Sequence, residues 1–299
     1  MDLLRRRKGL LKRQPARFAR TGFAESTLAE LAWQRTRQAS NRWSVGGAIL
    51  GLVIGAVAFA PAAWLARAIA SSTGERVLLT DARGTVWAGS AQAVLTGGPG
   101  SRDATALPDR VHWRLGVAGL GVELRLRQPC CVRGEVRVAV APGWGRTTVR
   151  VAPGESSTLG QWPAALLAGL GTPWNTLQLG GTLRLTSSGM VFESVQGRVR
   201  FTGDAALDIS QASSRVSTLD TLGSYRLMLR GDAARGDAAT IDLLTLDGAL
   251  RLTGNGQWSA AGLRFRGDAE AVEGNEAALN NLLNIIGRRQ GARSVISIG

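Results

Sequence analysis

Gly181-Thr182-Leu183-Arg184-Leu185 carries the pattern that decides the fold, and the chain returns to it repeatedly. Val199-Arg200-Phe201 follows Gly197, Leu250-Arg251-Leu252 follows Gly248, and Leu263-Arg264-Phe265 follows Gly262. Leu124-Arg125-Leu126 and Val136-Arg137-Val138 stand just behind Gly121 and Gly134. Each run alternates apolar, Arg, apolar. A period of two residues puts alternate side chains on opposite faces of a strand, one buried and one wet. The glycine upstream supplies the backbone freedom of a tight turn. Strands that recur with turn signals and without long helices between them form antiparallel meanders. The spacing is irregular, so a strict solenoid is not indicated; a sandwich, a barrel or one long curved sheet fits.

Whatever the closure, Leu, Val and Phe share one face and Arg the other. Arg184, Arg200 and Arg251 are a candidate basic contact stripe, extended by Arg125, Arg137 and Arg264. Two uses are open for such a face. It is a solvated surface that discourages edge-to-edge pairing, or a contact for lipid head groups or an acidic partner.

The alternation begins near Val77. Before it lies an uncharged run of 24 residues, Trp43 to Ala66, bracketed by Arg42 and Arg67. As a helix it would span about 36 Å, against a hydrocarbon core of about 30 Å. Trp43 and Trp64 stand near its ends, where amphipathic rings favour the interface. A cleaved signal peptide, with Ala58-Phe59-Ala60 as its small-residue site, and a buried core helix are the competing readings. A membrane-spanning helix over 43–66 fits the length best, with Pro61 ending or kinking its last turn. Residues 1–42 hold eleven Lys or Arg and three acids, +8 of the chain's net +14. The positive-inside rule therefore places 1–42 in the cytoplasm and a β-rich domain, 75–299, beyond the inner membrane. Thr27 and Glu30 have capping-box spacing within the leader. That segment is either a partner-binding helix or a basic stretch held near anionic head groups.

Few helices are expected in the rest: one over Gln161–Leu170 and one over Asn275–Ile286, the latter with Leu279, Leu282, Leu283 and Ile286 at helical spacing and Gly287 as its stop. Val295-Ile296-Ser297-Ile298 is expected to join a sheet. Gly97–Ala106 reads as an exposed loop and Asp208–Ser224 as a long ordered connection.

No catalytic constellation emerges. With one His and two Cys, the chain lacks the ligands of most zinc sites and multi-cluster iron–sulfur centres. His112, the only imidazole, alternates outward with Arg114 and has no nucleophile elbow nearby. Gly97-Gly98-Pro99-Gly100 lacks the lysine of a phosphate loop. Aromatic residues are 5% of the chain, too few for a stacking platform for nucleic acid. No catalytic, metal or cofactor-binding residue is assigned and no nucleic-acid partner is expected. Cys130-Cys131 is the odd feature. Adjacent residues of an extended strand point to opposite faces, so a bridge between them needs a turn, for which Pro129 is suited. A vicinal disulfide, an intermolecular bridge and two unbridged thiols all stay open.

Several of these stretches resemble the type II secretion system protein N family. Gly84-Thr85-Val86-Trp87-Ala88-Gly89-Ser90-Ala91 is similar to its opening motif, and Val111–Leu115 has its Trp-x-Leu character. Leu222-Gly223-Ser224-Tyr225 leads into a strand ending Arg230-Gly231, and Leu282-Leu283-Asn284-Ile285-Ile286-Gly287, with Arg288 and Ser294–Gly299, is similar to the family's carboxyl terminus. The resemblance spans about Trp43 to Gly299. It implies a mainly β protein: an N-terminal transmembrane helix, then an elongated, curved antiparallel sheet with a few short helices, of the AsmA-like kind. It implies a non-enzymatic inner-membrane accessory of the machine that exports folded proteins through an outer-membrane secretin. Its partners would be the secretin, the inner-membrane platform proteins and membrane lipids. The AsmA-like relationship offers a second reading, a lipid-handling protein with an apolar groove. The long basic leader departs from the family, whose members start near the membrane helix.

Overall fold

The computed structural model describes residues 43–152, 157–196, 198–232, 238–259 and 261–299. The basic segment 1–42, with Arg42, the capping-box residues and their expected cytoplasmic placement, lies outside the described residues. The chain divides into two units, residues 1–58 and 59–299.

In the first unit, residues 43–58 form a helix, α1. The uncharged run is not one continuous helix. Pro61 has no N–H to donate and its ring clashes with a carbonyl one turn back, so helical hydrogen bonding stops before it. Pro61 is extended and begins the next helix, α2 (Ala62–Ser72), which belongs to the second unit. The stretch expected to finish a membrane span, 62–66, instead packs on a sheet through Ala62 and Leu65. Among the described residues no helix is long and apolar enough to cross a membrane.

The second unit is built on one sheet. Its strands are β1 (Val77–Gly84), β2 (Ala88–Thr96), β3 (Ala104–Ala106), β4 (Val111–Ala118), β5 (Gly121–Arg127), β6 (Val136–Gly143), β7 (Arg146–Ala152) and β8 (Thr158–Pro163). After a 3-10 helix (Ala164–Leu170) and α3 (Trp174–Leu177) come β9 (Leu179–Val195), β10 (Arg198–Ser214), β11 (Gly223–Gly231), β12 (Ala239–Asp247), β13 (Leu250–Ser259) and β14 (Gly262–Ala271). Then α4 (Glu276–Ile286), β15 (Arg288–Gln290) and β16 (Arg293–Ile298) close the chain. The spatial order is β1-β2-β4-β5-β6-β7-β9-β10-β11-β12-β13-β14-β16-β15, with β3 on β2 and β8 on β9. Neighbours pair antiparallel throughout, and among the described residues β1 and β15 each have a single partner. The sheet is open, so the sandwich and the barrel fall away. All six apolar-Arg-apolar runs lie within strands.

Two clusters anchor this unit. Ala62, Ala91 and Trp113 pack together under α2. Trp113 lies over Gly89, where an added Cβ would sit 2.5 Å from the indole ring, and its Nε1–H donates to the Val86 carbonyl at 3.1 Å. The glycine of the opening motif is thus the floor on which the Trp of β4 rests. The larger cluster gathers Tyr225, Leu250 and Ala269 from the sheet and Leu279, Leu282 and Leu283 from α4. The helix expected over Asn275–Ile286 forms, and its apolar stripe covers one end of the sheet.

Some boundaries differ from those the sequence suggests. Gln161–Pro163 is the end of β8, so the helix expected from Gln161 begins only at Ala164 and winds as 3-10. The loop 97–106 ends in β3. The expected connection 208–224 is shorter, because β10 continues to Ser214.

Candidate functional site

Register assigns every strand residue to a face, because directly opposed residues of an antiparallel pair share one. Val117 pairs with Val122, which pairs with Val140, then Val149, Phe192 and Phe201. That row crosses six neighbouring strands, β4 to β10, on a single face without a polar side chain. Further along, Leu207, Leu227 and Leu243 continue the face, as do Leu229 and Ile241. Phe192, Phe201 and Trp258 meet over its middle, with ring centroids 5.0 and 6.4 Å apart. Leu183, Leu185, Val199, Leu250 and Leu252 lie on this same face. It is buried where α2 and α4 cover it. Between them Val122, Val138, Val140, Val149 and Val151 are only half-buried, and Leu227 is exposed.

The opposite face carries the charge. Arg125, Arg137, Arg184, Arg200, Arg251 and Arg264 all fall on it, but they are interleaved with acids rather than ranked as a bare stripe. Arg184 opposes Asp208, which opposes Arg226 and binds it through two hydrogen bonds, 2.6 and 2.9 Å. Arg251 contacts Glu270 at 3.2 Å, and Arg293 reaches the same carboxylate at 3.4 Å. Arg200 opposes Glu193. Arg125, Arg127 and Arg137 surround Glu135. At the first strand, hydrogen bonds from Arg83 and Arg110 hold the Asp81 carboxyl below the usual aspartate range. His112 is exposed on this face, opposite Arg127 and Ser90.

The vicinal cysteines occupy a turn between β5 and β6, and their sulfurs are bonded to each other. The turn is fixed from behind. Cys131 and Val132 N–H groups both donate to the Gln128 carbonyl, and Gln161 N–H of β8 donates to the Cys131 carbonyl at 2.7 Å. Gln128, buried, donates to the Pro108 carbonyl at 2.6 Å and accepts from the Trp162 indole at 3.0 Å. Cys130 is exposed and Cys131 buried, and both line a cavity of about 860 Å³ with Pro108, Arg133, Trp162 and Pro163. Neither Gln128 nor Trp162 stands out in the sequence, since nothing there brings β8 beside the cysteine turn.

Of the residues expected at a membrane interface, Trp43 is exposed at the start of the described part of α1, and Trp64 and Arg67 are exposed one turn apart on α2. Along α1 the side chains Val45, Ile49, Leu50, Leu52, Val53 and Ile54 are all at least half exposed. Among the described residues no group of three or more His, Cys, Asp or Glu is placed to hold a metal ion.

Two faces of the sheet and the cysteine turn are the features that a comparison with known families has to account for. The type II secretion system (T2SS), protein N, family matches residues 75–296. The chain belongs to this family. The match runs from the entry to β1 to the last residues of β16, so family membership covers the whole sheet together with α4. Protein N is a component of the secretion machinery rather than a member of a known enzyme family, and membership associates the chain with protein transport at the cell envelope. No curated protein and no solved structure matches the chain.

Proposed function

We propose that this family member is a single-pass inner-membrane accessory of type II secretion, with the sheet in the periplasm as a non-catalytic docking platform. The protein N match across 75–296 carries the reading. The anchor is supported by α1, whose apolar side chains point in every direction and are exposed in every direction. A helix that is apolar all round has no wet face, and a bilayer is the solvent that suits it. The arginines before and after the run and the basic excess of 1–42 orient it with the amino terminus inside. The docking surface is the outer, charged face of the sheet, and its partners are the secretin and the inner-membrane platform proteins. Deletion of the gene, with photo-crosslinkers placed at outer-face positions of the complemented protein, tests this. Lost export and capture of a secretion subunit are expected; unimpaired export with no subunit captured would remove the reading.

The half-exposed apolar face favours a second reading, an AsmA-like lipid-handling role in which acyl chains lie along that row of Val, Leu and Phe. Transfer of such a surface from water is worth roughly 25 cal/mol per Å². Native mass spectrometry of detergent-extracted protein is expected to show co-purifying phospholipid under this reading, and its absence would count against the groove.

A further inference from the structure

The register sorts the turns of the sheet as well as its faces. The β4–β5, β6–β7, β9–β10 and β13–β14 hairpins all turn at one end. Pro61, two residues past the start of the second unit, bridges Thr85 in the β1–β2 turn at that same end. The chain therefore enters the β unit where the hairpins turn. The other end is where α4 packs on Tyr225 and Leu250.

The two ends differ in what they expose. At the hairpin end Leu120 is 96% exposed and Trp144 is 104% exposed, each held between glycines in a tight turn. Val117, Val195 and Val199 flank them and are also exposed. Scattered apolar residues on a surface need no explanation. These are not scattered: the β4–β5 and β6–β7 tips are neighbours about 10 Å apart, two strand spacings, and each lifts an apolar side chain, Leu120 or Trp144, to the rim, with Val195 beside the next tip, β9–β10. Arg146 and Arg198 begin the strands that leave two of these tips, and both are exposed. Asp232, at the end of β11, is an acid at this rim. A row of separate apolar points beside bases is poorly shaped for a packed protein interface, which needs a continuous complementary patch. It suits a deformable phase with negative head groups, into which Trp and Leu insert while Arg stays at the surface.

We infer that the hairpin end of the sheet rests on the surface of an anionic lipid bilayer, with Leu120 and Trp144 inserted at head-group depth. The inference rests on the reading of the chain as membrane-anchored through α1, which brings the same bilayer to the end where the chain enters. It assigns an orientation: the sheet stands on its hairpin tips, and the α4 end points away from the membrane.

The test uses the full chain reconstituted in vesicles of phosphatidylcholine and phosphatidylglycerol. Because Cys130 and Cys131 are bonded to each other, an introduced cysteine can be labelled selectively without reductant. An environment-sensitive fluorophore is placed at Leu120→Cys or, as the control at the opposite end, at Leu246→Cys. Nitroxide lipids are expected to quench the label at 120 strongly and the label at 246 little. Replacing Trp144 with Ser together with Arg146→Glu and Arg198→Glu is expected to lower the membrane-contacting fraction at 120 by about tenfold. Equal quenching at both sites would overturn the inference. So would a label at 120 shielded from aqueous iodide yet not quenched by lipid, which would mark a protein contact. Alkaline extraction of the same vesicles reads the anchor separately. Protein released by alkali sinks the anchor reading, whereas protein retained but unquenched at 120 sinks only this inference.

Discussion

Tyr225 is the only tyrosine in the chain, which makes it a reporter of its own packing. It is buried against α4, and its hydroxyl donates to the Leu250 carbonyl at 3.0 Å. Burial first, and the nearby Asp247 charge second, push its ionisation well above the ordinary tyrosine range. The folded-state value is raised, so the stabilisation is complete below the unfolded tyrosine pKa near 10 and is lost as pH climbs towards the folded value. An absorbance titration of the native protein is expected to show no tyrosinate through the normal range, with ionisation appearing only as the protein unfolds. Normal titration in the folded state would contradict the packing. Tyr225→Phe leaves the Leu250 carbonyl without this donor and is expected to cost about 1 kcal/mol in denaturant unfolding. The side-chain direction of Tyr225 is legible from alternation alone, but its partner is not: Leu250 is brought beside it by a strand two places away in the sheet. The cysteine turn teaches the same lesson. Cys130-Cys131 can be singled out in the sequence, whereas the hydrogen bond from Trp162 to Gln128 behind them and the cavity that Trp162 borders exist only because β8 folds back onto β9.

At the scale of elements, legibility follows periodicity. α4 is readable because Leu279, Leu282 and Leu283 repeat at helical spacing and every one of them is buried. Its stop at Gly287 has a different cause from the one the sequence suggests. Gly287 is not in a left-handed conformation; it is extended, and an added Cβ would meet the Val295 carbonyl oxygen at 2.4 Å. The glycine lets β16 pass close behind the helix. Where an irregularity interrupts a strand, periodicity fails. β10 shifts register between Ile209 and Ala212, with Gln211 at positive φ, so Asp208–Ser214 loses its alternation and reads as a connection. The Ala/Leu composition of 164–170 suggests an α-helix from Gln161, but Trp162 and Pro163 are committed to pairing with β9. The dependence of the sheet end on α4 is testable. Leu283→Ala removes a side chain that is 1% exposed from the centre of the larger cluster and is expected to destabilise the protein by about 2–5 kcal/mol. Asn284→Ala, one residue on and exposed, is the matched control and should move the unfolding midpoint little.

At the scale of the whole β unit, one face is apolar from β4 to β14 and the other is charged, and this segregation decides what a charge change can do. On the outer face, Arg184, Arg200 and Arg251 stand on β9, β10 and β13 with acids opposite each of them. The triple change Arg184→Glu, Arg200→Glu and Arg251→Glu would set like charges opposite Asp208, Glu193 and Glu270, while Asp208 keeps Arg226. Exposed cross-strand pairs are worth about 0.2–1 kcal/mol each, so the triple variant is expected to fold with a melting temperature lowered by only a few degrees. The same charges on the apolar face, as in Leu185→Glu with Leu229→Glu, would be set among Val, Leu and Phe and are expected to destabilise the sheet far more. With the outer face as the docking surface, the stable triple variant is expected to lose both export and crosslinking to a secretion subunit. Because it keeps its fold, that loss cannot be attributed to unfolding. Unchanged export together with unchanged crosslinking would make the arginines an ordinary solvated face that protects an open sheet from pairing with its neighbours. Partner contact would then have to come from the edges or from the α4 end.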